Sequence, residues 1–554
     1  MSKIRELQKQ GKKEELWQIC CGFLDLSLEQ FMAIQKQLLL EQIELLKRCE
    51  LGRKVMHGTM PDTIEEFREQ VPLTTYKDYC PELLEKREKG LPAKPVRWIH
   101  SSGRSGEYPF KWIPISQRIW DEMSSLTYGV SILASCKGRN DFPIILNPKL
   151  LYATAPAPYA TGIMAAKLEE EFGFKYFPSP QEAEQLPFME RLDKGFWQAL
   201  SDGVDGFFGL SIILVAIGEQ FKQGAGTLKL SKLLLNPKAM LRLTKGLIKS
   251  KIAKHPMLPK DLWTLKGISS MGTDSMVYKE KIKEMWGVYP LDVYGSTEFL
   301  IVAVQTWDHD SMTFVPNLNL LEFIPEKEHF KWQFDHSYKP KTLLLDEVEV
   351  GENYELIITN FHGGAMVRYR TGDMVRITAL QNKKLGINIP QMVFERRADD
   401  LIDLGPMRLT EKTIWQAIEN TNIPYKDWTA RKEIIDGTPV VHLYLELKDN
   451  YIASEKGIAT AIYKELKKSY DGLSPKDLVN LERLIGFKPI DVTLLPEGAF
   501  ANYMASRQAE GADLAHLKPP HINPPERMLS LLGVKFKGIP KVSAHAEVGV
   551  TASR

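Results

Sequence analysis

From about residue 70 onward, short apolar runs alternate with Gly/Pro turns and with segments of helical periodicity. Two of these runs, "YELIITNF" (Tyr354 to Phe361) and "DMVRITAL" (Asp373 to Leu380), have the pattern of β-strands. They flank "HGGAMVRYRTG", and turns at the ends of strands are where binding residues often lie. The alternation predicts a mixed α/β fold, because strands that alternate with helical segments form a sheet covered by helices.

The length of the chain predicts more than one domain. A chain of 554 residues exceeds what one hydrophobic core usually supports. The pattern changes near "FERRADDLIDLG", after which a helix, a strand and another helix follow in succession. We therefore expect a boundary near Asp399 and Asp400, with an N-terminal domain over residues 1–398 and a C-terminal domain over 399–540. The small and polar residues of 541–554 predict a disordered tail.

Two other segments have clear apolar patterns. No Gly or Pro lies between Gly22 and Gly52, and four apolar residues recur there at helical spacing: Leu38, Leu39, Ile43 and Leu46. This pattern predicts an amphipathic helix that opens the protein. The longest apolar run, Gly206 to Gly218, is too short to cross the roughly 30 Å core of a bilayer as a helix. We expect this run to be a buried helix or strand and predict no transmembrane segment.

Cysteine usage and charge exclude several classes of protein. The five cysteines are too few and too irregularly spaced for a disulfide framework, and no C-x-x-C pair indicates zinc. The first residues lack the uninterrupted apolar core of a signal peptide. These features together predict a cytoplasmic protein. The formal net charge of +2 predicts no nucleic-acid partner, because such a small charge creates no global attraction for one.

One segment departs from this even charge balance. Lys222 to Lys260 carries ten Lys/Arg residues and no Asp or Glu. Met240, Leu243, Leu247 and Ile248 lie at helical spacing within it, so the basic residues could line one face of an amphipathic helix. Three interpretations stay open: a solvated helix face, a peripheral contact with anionic lipid, and a contact with the phosphates of a bulky co-substrate.

The stretch "HSSGRSGEYPFKW", residues 100–112, is rich in glycine and serine. Five such residues fall within six positions: Ser101, Ser102, Gly103, Ser105 and Gly106. Glycine lets a ligand approach the main-chain N–H groups, and serine hydroxyls add donors that can point at an anion. The usual P-loop string is absent, because Glu107 follows the last glycine. The stretch is a candidate phosphate-binding loop, with a flexible surface turn as the alternative.

Four later motifs each supply a side chain that a nucleotide site can use. "DVYGSTEF" carries Glu298 beyond an apolar segment and a Gly turn, and "RYRTGD" ends a strand-like run in a tight turn before Asp373. That aspartate could accept two hydroxyl donors, such as those of a ribose. "FERRADD" supplies Arg396 and Arg397, and a guanidinium there could bind a phosphate with two hydrogen bonds. "HLKPPH" offers Lys518 before two prolines that restrict its backbone. Taken one at a time, each residue fits a structural role as well as a binding role: a solvated side chain, a turn or a salt bridge at a hinge.

The order of these motifs is more informative than any one of them. A Ser/Gly loop, then Y-G-x-T-E, Y-R-x-G-D, an Arg/Asp hinge and a late Lys is the order of the adenylate-forming enzymes, and the chain resembles that superfamily. Within it, the chain is most similar to the auxin-responsive Gretchen Hagen family of acyl-acid amido synthetases, particularly its bacterial members. The similarity covers most of the chain and rests on "VPLTTYKDY", "SSGRSGEYPFKWIPIS", "GTDSMVY", "YGSTE", "FVPNLNLLEFIPE", "YELIITNF", "RYRTGD", "RRADDLIDLGPMRLTE" and "PEGAFANYMASRQAEGADLAHLKPP".

This resemblance implies that ATP binds between a large N-terminal adenylating domain and a smaller, mobile α+β C-terminal domain. It assigns the phosphate-binding loop to the five Ser and Gly residues of the 101–106 stretch. It assigns further cofactor contacts to the Y-G-x-T-E motif, which comprises Tyr294, Gly295, Ser296, Thr297 and Glu298. In that motif, the tyrosine is expected to stack near adenine and the glutamate to bind Mg²⁺.

The resemblance also implies roles for residues outside that motif. Asp373 is expected to bind the ribose hydroxyls, and Arg397 to contact phosphate or ribose near the hinge. Lys111 matches the family's lysine before x-I-P-x-Ser/Thr, and Lys518 matches its late catalytic lysine. Together with Glu298, these two lysines are the predicted catalytic residues.

The implied chemistry needs these residue types. A carboxylate attacks the α-phosphorus of ATP, and pyrophosphate leaves. Because both reactants are anions, positioning and charge neutralisation supply most of the catalysis. Mg²⁺ on Glu298 and the loop donors would stabilise the leaving pyrophosphate, and Lys518 would bridge the attacking carboxylate and the α-phosphate.

The implied partners are a small-molecule carboxylic acid and an acceptor for its acyl group. An amino acid amine, which gives an amide, is the first interpretation. Coenzyme A, which gives a thioester, is the second, with Lys222 to Lys260 as a possible dock for its phosphates. A non-catalytic nucleotide- or acyl-binding protein is the third, because Arg104 stands where the family loop commonly has Thr. Tyr159 is a candidate for the acyl pocket, with core packing as the alternative.

Overall fold

The chain divides into two compact units. The computed structural model describes residues 3–101, 110–222, 236–271, 275–398, 401–403, 408–435, 438–448, 451–469, 490–509, 520–524 and 526–534. Among these, the first unit ends at Ala398 and the second begins at Leu401. The tail predicted at 541–554 lies outside the described residues.

The first unit is built on one large sheet. Its strands are β1 Pro95–His100, β2 Trp112–Ser116, β3 Lys149–Ala153, β4 Lys175–Phe177, β5 Gly206–Leu210, β6 Gly267–Met271, β7 Pro290–Ser296, β8 Leu300–Gln305, β9 Met312–Phe314, β10 Asn319–Pro325, β11 Asn353–Asn360, β12 Tyr369–Ala379 and β13 Gln391–Arg397. Strands β1 and β2 form a separate antiparallel hairpin. The others form an 11-stranded sheet in the order β10-β11-β12-β13-β9-β8-β7-β6-β5-β3-β4.

This sheet is parallel on one side of β7 and antiparallel on the other. Strands β4, β3, β5, β6 and β7 run parallel to one another. Helices connect them, because a parallel pair requires a crossover. From β7 through β8, β9, β13, β12 and β11 to β10, each neighbouring pair is antiparallel. The end of β7 therefore lies where the two kinds of pairing meet.

Helices cover this sheet. In the first unit they are Lys3–Gln10, Lys13–Cys20, Leu28–Arg48, Glu50–Val55, Ile64–Gln70, Gln117–Ser135, Ala160–Phe172, Pro180–Glu184, Phe188–Asp202, Ser211–Lys222, Pro237–Ile252, Pro259–Leu262, Ser275–Trp286 and Glu326–Phe334, with 3₁₀ turns at Gly22–Asp25, Tyr76–Tyr79 and Leu345–Glu347. The helix predicted between Gly22 and Gly52 is confirmed as Leu28–Arg48, which begins in a capping box formed by Ser27 and Gln30. The prediction that it opens the protein is wrong, because two shorter helices precede it.

The longest apolar run, for which a helix or a strand was predicted, contains one of each. Residues Gly206–Leu210 form β5, and the chain then turns directly into the helix Ser211–Lys222. Phe207, Phe208 and Leu214 are buried, so each half of the run contributes to the core. Within the described ranges, no helix combines enough length and apolar character to cross a bilayer.

The basic segment contains the predicted helix, but its apolar residues do not share one environment. The helix is Pro237–Ile252, which begins with Asn236 as its N-cap. Of the apolar residues that were grouped by spacing, Leu243 is buried, whereas Met240, Leu247 and Ile248 are exposed. Spacing alone grouped residues that lie on different sides of the helix.

The strand predicted at Asp373 to Leu380 begins earlier. β12 starts at Tyr369, so the tight turn expected in "RYRTGD" is instead a bulge within a strand. Gly372 takes a φ of +68°, a conformation that glycine adopts without strain, and the register with β11 shifts at this point. The bulge allows the strand to continue, which is why the local turn signal was misleading.

The second unit has its own core. Its strands are β14 Leu401–Asp403, β15 Arg408–Thr410, β16 Tyr425–Ile435, β17 Thr438–Leu447 and β18 Ile490–Leu494, and its helices are Glu411–Asn420, Glu455–Leu466, Ala499–Ala509 and Glu526–Leu531, with a 3₁₀ turn at Lys467–Ser469. β16 pairs antiparallel with β17, which pairs parallel with β18. Trp428, Leu443 and Ile462 lie in the core between this sheet and its helices. The predicted α/β class, with a large first unit and a smaller α+β second unit, is confirmed.

Candidate active site

The candidate site is built around the end of β7. There the register with β8 shifts between Tyr294 and Gly295. A Cβ on Gly295 would lie 1.9 Å from the main-chain oxygen of Leu300, so a side chain cannot fit at this position without moving the backbone. The glycine of the Y-G-x-T-E motif is therefore required by close backbone packing, which the sequence alone did not reveal.

The turn after β7 holds Glu298 by both its side chain and its backbone. Ser296 Oγ donates a hydrogen bond to Glu298 Oε2 at 2.8 Å, and the Glu298 N–H donates to the same hydroxyl oxygen at 3.1 Å. Asn360 at the end of β11 donates from Nδ2 to the Glu298 carbonyl at 3.1 Å. Thr297 Oγ1 donates to the His100 carbonyl at 3.5 Å. These bonds fix the carboxylate at the place where the parallel and antiparallel parts of the sheet meet.

Lys111 brings a positive charge to this carboxylate. Its Nζ lies 3.8 Å from Glu298 Oε1, and the two side chains are 16% and 13% exposed. The same Nζ is 3.3 Å from the Tyr369 hydroxyl and 5.7 Å from the centre of the Tyr76 ring. The two charges are therefore close enough to attract each other, but the distance between them is longer than a hydrogen bond. Both side chains remain accessible to solvent.

The Ser/Gly stretch follows β1 and precedes β2 in the chain, and its described flanks lie near this pair. Ser101 and Lys111 lie on either side of the stretch and bond to each other: the Ser101 N–H donates to the Lys111 carbonyl at 3.0 Å, and the Lys111 N–H donates to Ser101 Oγ at 3.2 Å. Ser102, Gly103, Ser105 and Gly106, which were predicted to bind phosphate, lie outside the described residues. The bonds between Ser101 and Lys111 hold the two ends of the stretch together, and Lys111 places them near Glu298.

A second pair of polar side chains links β7 to β12. Tyr294 donates from its hydroxyl to Asp373 Oδ2 at 2.8 Å, and both residues are buried. The tyrosine ring packs against Phe299 and Phe394, with ring centres 5.7 and 6.0 Å away. Arg397 pairs with Asp373 across β12 and β13, although its side chain is not described. Two predicted residues that are 79 positions apart in sequence are thus brought into direct contact.

An aromatic cluster that the sequence did not single out lies where β1 ends. The His100 ring has ring centres of Phe110, Trp112 and Tyr159 at 4.4, 4.8 and 4.4 Å. Its Nδ1 lies 2.9 Å from the Ser101 carbonyl, and burial lowers the pKa of His100. Tyr159 is half-buried, so its position supports neither of its two interpretations over the other. The feature of the sequence that could have pointed to this cluster is His100 itself, which comes directly before the Ser/Gly stretch.

Other contributors were missed although their motifs were recognised. Asn360 ends "YELIITNF", Tyr369 begins "YRTGD" and Tyr76 lies in "VPLTTYKDY". Their contacts with Glu298 and Lys111 join strands and turns that are distant in sequence, so local pattern could not assign them. Lys518 lies outside the described residues, and its expected role stays a prediction.

The donor set around Glu298 fits a magnesium ion that also takes ligands from a substrate. Within the described ranges, no three His, Cys, Asp or Glu residues group so that they could hold a metal by themselves. Mg²⁺ often binds one or two protein carboxylates and completes its shell with phosphate oxygens and water. A single accessible carboxylate beside a Ser/Gly stretch is consistent with that mode.

Comparison with known proteins finds two segments that are similar to domains of one family. Residues 21–168 match the GH3 family N-terminal domain, and residues 312–397 match the GH3 family central domain. The chain carries two GH3 family domains. The N-terminal GH3 match includes Ser101, Lys111 and Tyr159, and the central match includes Asp373, whereas Glu298 lies between the two matches. The resemblance found in the sequence is confirmed.

Three relatives that the chain resembles are plant amido or amino acid synthetases. The chain is 27% identical over 220 residues to indole-3-acetic acid-amido synthetase GH3.3 of Arabidopsis thaliana, covering 38% of this chain and 34% of that protein. It is 27% identical over 293 residues to indole-3-acetic acid-amido synthetase GH3.15 of the same plant, covering 49% and 48%. It is 30% identical over 196 residues to jasmonoyl–L-amino acid synthetase JAR4 of Nicotiana attenuata, covering 34% and 32%. The matched segments therefore span less than half of each relative.

Solved structures share the fold over a larger part of the chain. The acyl acid amido synthetase AtGH3.15 in complex with 2,4-DB has a TM-score of 0.61 at 18% identity, covering 95% of this chain and 96% of that one. 2-Hydroxyisobutyryl-CoA ligase in the postadenylation state has a TM-score of 0.56 at 13% identity, covering 91% of each chain. At these identities, the likeness shows the fold and does not choose between the two activities.

Proposed function

We propose that this GH3-domain chain is an ATP- and Mg²⁺-dependent ligase that activates an organic carboxylate as its acyl-adenylate and transfers the acyl group to the amine of an amino acid. The observation that carries this proposal is the accessible pair of Lys111 and Glu298. Lys111 lies at the end of the Ser/Gly stretch, and Glu298 lies in the turn after β7. The names of the GH3 relatives support the amide-forming reaction. The Tyr294–Asp373 pair on the adjoining strands supports a nucleoside site.

In the proposed first step, a carboxylate oxygen forms a bond to the α-phosphorus of ATP while the bond to pyrophosphate breaks. Two anions must approach, so cationic and N–H donors at the Ser/Gly stretch would lower the repulsion between them. Lys111, whose Nζ lies 3.3 Å from the Tyr369 hydroxyl and 3.8 Å from Glu298, would supply one of these cations. Lys518 would contact the attacking carboxylate, as the resemblance implies. Mg²⁺ bound at Glu298 would supply charge neutralisation for the phosphates.

In the proposed second step, the amine nitrogen attacks the acyl carbon, and AMP leaves with the bonding electron pair while the amine loses a proton. A swing of the C-terminal unit about the segment near Asp399 would open the adenylate to the acceptor, by analogy with the superfamily. Asp373 would hold the ribose of the nucleotide through both steps, since Tyr294 fixes the direction of its carboxylate.

Exchange of labelled pyrophosphate into ATP tests the first step. A panel of carboxylic acids should include at least one that supports exchange, and EDTA should abolish exchange until Mg²⁺ is restored. Nucleotide binding without exchange across a broad panel would favour the non-catalytic alternative, in which the chain only binds nucleotide or acyl ligand. Lys111→Met should reduce exchange, whereas Lys327→Met, which alters an exposed lysine outside the candidate site, should not.

Mass spectrometry of the products identifies the acceptor. Reactions with the active acid, ATP and a mixture of amino acids should yield an N-acyl amino acid. Coenzyme A is the second candidate acceptor, because the fold is shared with 2-hydroxyisobutyryl-CoA ligase. A thioester formed with coenzyme A and no amide with any amino acid would contradict the amide-forming proposal while preserving the adenylation step.

We also propose a cytoplasmic location, which rests on the cysteines. All five are free thiols, and four of them are buried. Burial raises the pKa of Cys20 and Cys21, so both side chains stay protonated. Because the thiolate is the reactive form of cysteine, these buried thiols are unreactive. A reducing compartment suits such a chain. Fractionation of cells that express the full chain should recover it with cytoplasmic markers.

A further inference from the structure

The helix Pro237–Ile252 buries only one narrow side. Ala239, Leu243, Gly246 and Ser250 are buried on that side. A Cβ on Gly246 would lie 2.5 Å from a methyl carbon of Leu262, so the helix packs closely on the segment that follows it. Its orientation is therefore well determined by core contacts, and the opposite side of the helix faces away from the core.

Large apolar side chains occupy that opposite side. At about 3.6 residues per turn, Leu241, Ile248 and Ile252 fall on one stripe directly opposite the buried residues. They are 57%, 53% and 78% exposed, and we call them the apolar stripe. Met240 and Leu247, which are 42% and 46% exposed, extend the apolar surface along one edge. Single exposed apolar residues are ordinary, but a cluster on one helix marks an interaction surface.

Lysines border the apolar stripe on both sides. Lys238, Lys245 and Lys249 project along one border, and Lys251 along the other, as the helical repeat requires. All four are exposed, and within the described part of the chain none of them forms a salt bridge. Their long side chains can reach past the apolar stripe to charged groups of a partner.

Arginine on the same helix serves a different purpose. Arg242 donates from Nη1 to the main-chain carbonyls of Ala199, at 3.1 Å, and Leu200. These bonds attach the helix to the end of an earlier helix, Phe188–Asp202. The fold therefore uses this one cation for anchorage and leaves the four lysines for solvent or for a partner.

We propose that the outer side of the helix Pro237–Ile252 is a docking surface for an anionic lipid membrane, with the apolar stripe inserted among the acyl chains and the four lysines at the phosphate level. An apolar stripe bordered by lysines is the arrangement by which amphipathic helices lie in a membrane interface. Charge complementarity selects the partner, because the helix carries five cations and no anion. This proposal does not depend on which reaction the chain catalyses.

The same charges argue against self-association through this surface. Two copies that met face to face would place lysines of one copy against lysines of the other, and like charges in contact are unfavourable. The apolar side chains also project from the helix, with Ile252 at 78% exposure, rather than line a groove that could hold a peptide. A planar anionic membrane can bury the apolar stripe and pair with the bordering lysines at the same time.

Cosedimentation of the full chain with lipid vesicles tests the proposal. We expect binding to vesicles that contain about one quarter phosphatidylserine and at least about tenfold weaker binding to pure phosphatidylcholine, with the affinity falling as salt rises. The triple variant Leu241→Ser, Ile248→Ser and Ile252→Ser should lose at least about tenfold in vesicle affinity, because burial of these side chains supplies the apolar part of binding. Leu40→Ser changes a leucine that is 43% exposed on another helix and should bind as the unaltered chain does.

A charge variant and a spectroscopic probe separate the possible outcomes. Replacement of the four border lysines by Gln should remove the preference for phosphatidylserine. Replacement of four other exposed lysines by Gln should preserve it: Lys327, Lys339, Lys383 and Lys384. A solvent-sensitive dye on Ile252→Cys should shift to the blue with anionic vesicles, and the same dye on Leu40→Cys should not.

Three results would overturn the proposal. The first is absence of binding to anionic vesicles; the second is binding that the triple variant leaves unchanged. The third is an oligomer in sedimentation equilibrium that the triple variant dissociates, since this would assign the surface to a second copy. Unchanged circular dichroism and unchanged pyrophosphate exchange in the triple variant would establish that it remains folded.

Discussion

Two cation–glutamate pairs in the first unit differ in how completely their polar groups are satisfied. Arg368 binds Glu322 through two hydrogen bonds, at 3.1 Å from Nε and 2.8 Å from Nη2, and donates further to the carbonyls of Arg68 and Val71. Glu322 is completely buried. Lys111 approaches Glu298 only to 3.8 Å, and both remain partly exposed.

This difference separates a structural pair from a pair that is available for a ligand. The guanidinium and carboxylate groups of Arg368 and Glu322 were removed from water, so each must find its partners inside the protein. The Lys111 and Glu298 side chains keep access to solvent, and the long distance between them leaves both groups able to bind something else. Removal of a partner should therefore cost stability in the first pair and activity in the second.

The largest effect is expected where a buried charge loses its partner. Arg368→Met should destabilise the first unit by about 3–5 kcal/mol, because the buried Glu322 would keep only the more distant cation of Arg68, whose Nε lies 3.9 Å from Oε1. Urea unfolding followed by circular dichroism measures this change. The control is Arg376→Met, which should cost less than about 1 kcal/mol, because the Arg376 side chain is 43% exposed where it pairs with Glu395. Equal losses in the two variants would contradict the distinction drawn here.

Another tight cluster of charged groups, in the second unit, can be disrupted by pH. His521 stacks on Trp428; burial lowers its pKa, but hydrogen bonds to Asp427 and Glu411 outweigh burial and raise the pKa to about 9. The charged histidine should therefore stabilise this unit fully below its ordinary pKa of 6.5, and the stabilisation should be lost as pH rises through about 9. We expect a loss on the order of 3 kcal/mol.

Thermal unfolding of the full chain between pH 6 and pH 10, about the range set by these pKa values, measures that loss. His521→Gln should lower stability at the acid end and flatten the dependence on pH. A variant that keeps the full pH dependence would show that other groups cause it.

At the candidate site, the effect should appear in activity. Glu298→Gln keeps the size of the side chain and removes its charge, so pyrophosphate exchange should fall by at least about 100-fold, which corresponds to about 2.7 kcal/mol in transition-state stabilisation. Stability in urea should change by less than about 1 kcal/mol, because the pair is loose and partly exposed. Glu352→Gln alters an exposed glutamate elsewhere in the first unit and serves as the matched control. Unaltered exchange in Glu298→Gln would refute the proposed metal role.

The smallest effect is expected at Tyr294 and Asp373, the proposed nucleoside end of the candidate site. Tyr294→Phe removes the hydroxyl that orients Asp373 while it keeps the ring between Phe299 and Phe394. The KM for ATP should rise by roughly fivefold to tenfold, as expected for the loss of about 1 kcal/mol from one hydrogen bond, with little change in kcat. Steady-state exchange at varied ATP measures both constants. A fall in kcat with unchanged KM would place this pair outside the nucleoside site.

Much of the candidate site could be singled out from sequence because its residues lie in short motifs. Glu298, Asp373 and the Ser/Gly stretch each follow or interrupt an apolar run, so local pattern and the order of the motifs were sufficient to single them out. The bulge at Gly372 was not predictable in this way, because a strand that continues through a bulge has the same local sequence as a strand that ends in a turn. Nor was the role of Gly295, which depends on the approach of Leu300 from the next strand.

The motif order and the apolar alternation in the amino-acid sequence determined the α/β class, the GH3 relationship and most of the residue types at the site. These properties depend on local composition and spacing, which are written along the chain. Only the tertiary structure decided that Tyr294 meets Asp373, that Lys111 stays loose beside Glu298, and that Leu241, Ile248 and Ile252 face away from the core. Each of those outcomes depends on which strands and helices lie side by side, and the pairing of distant segments is set by the packing of the whole unit.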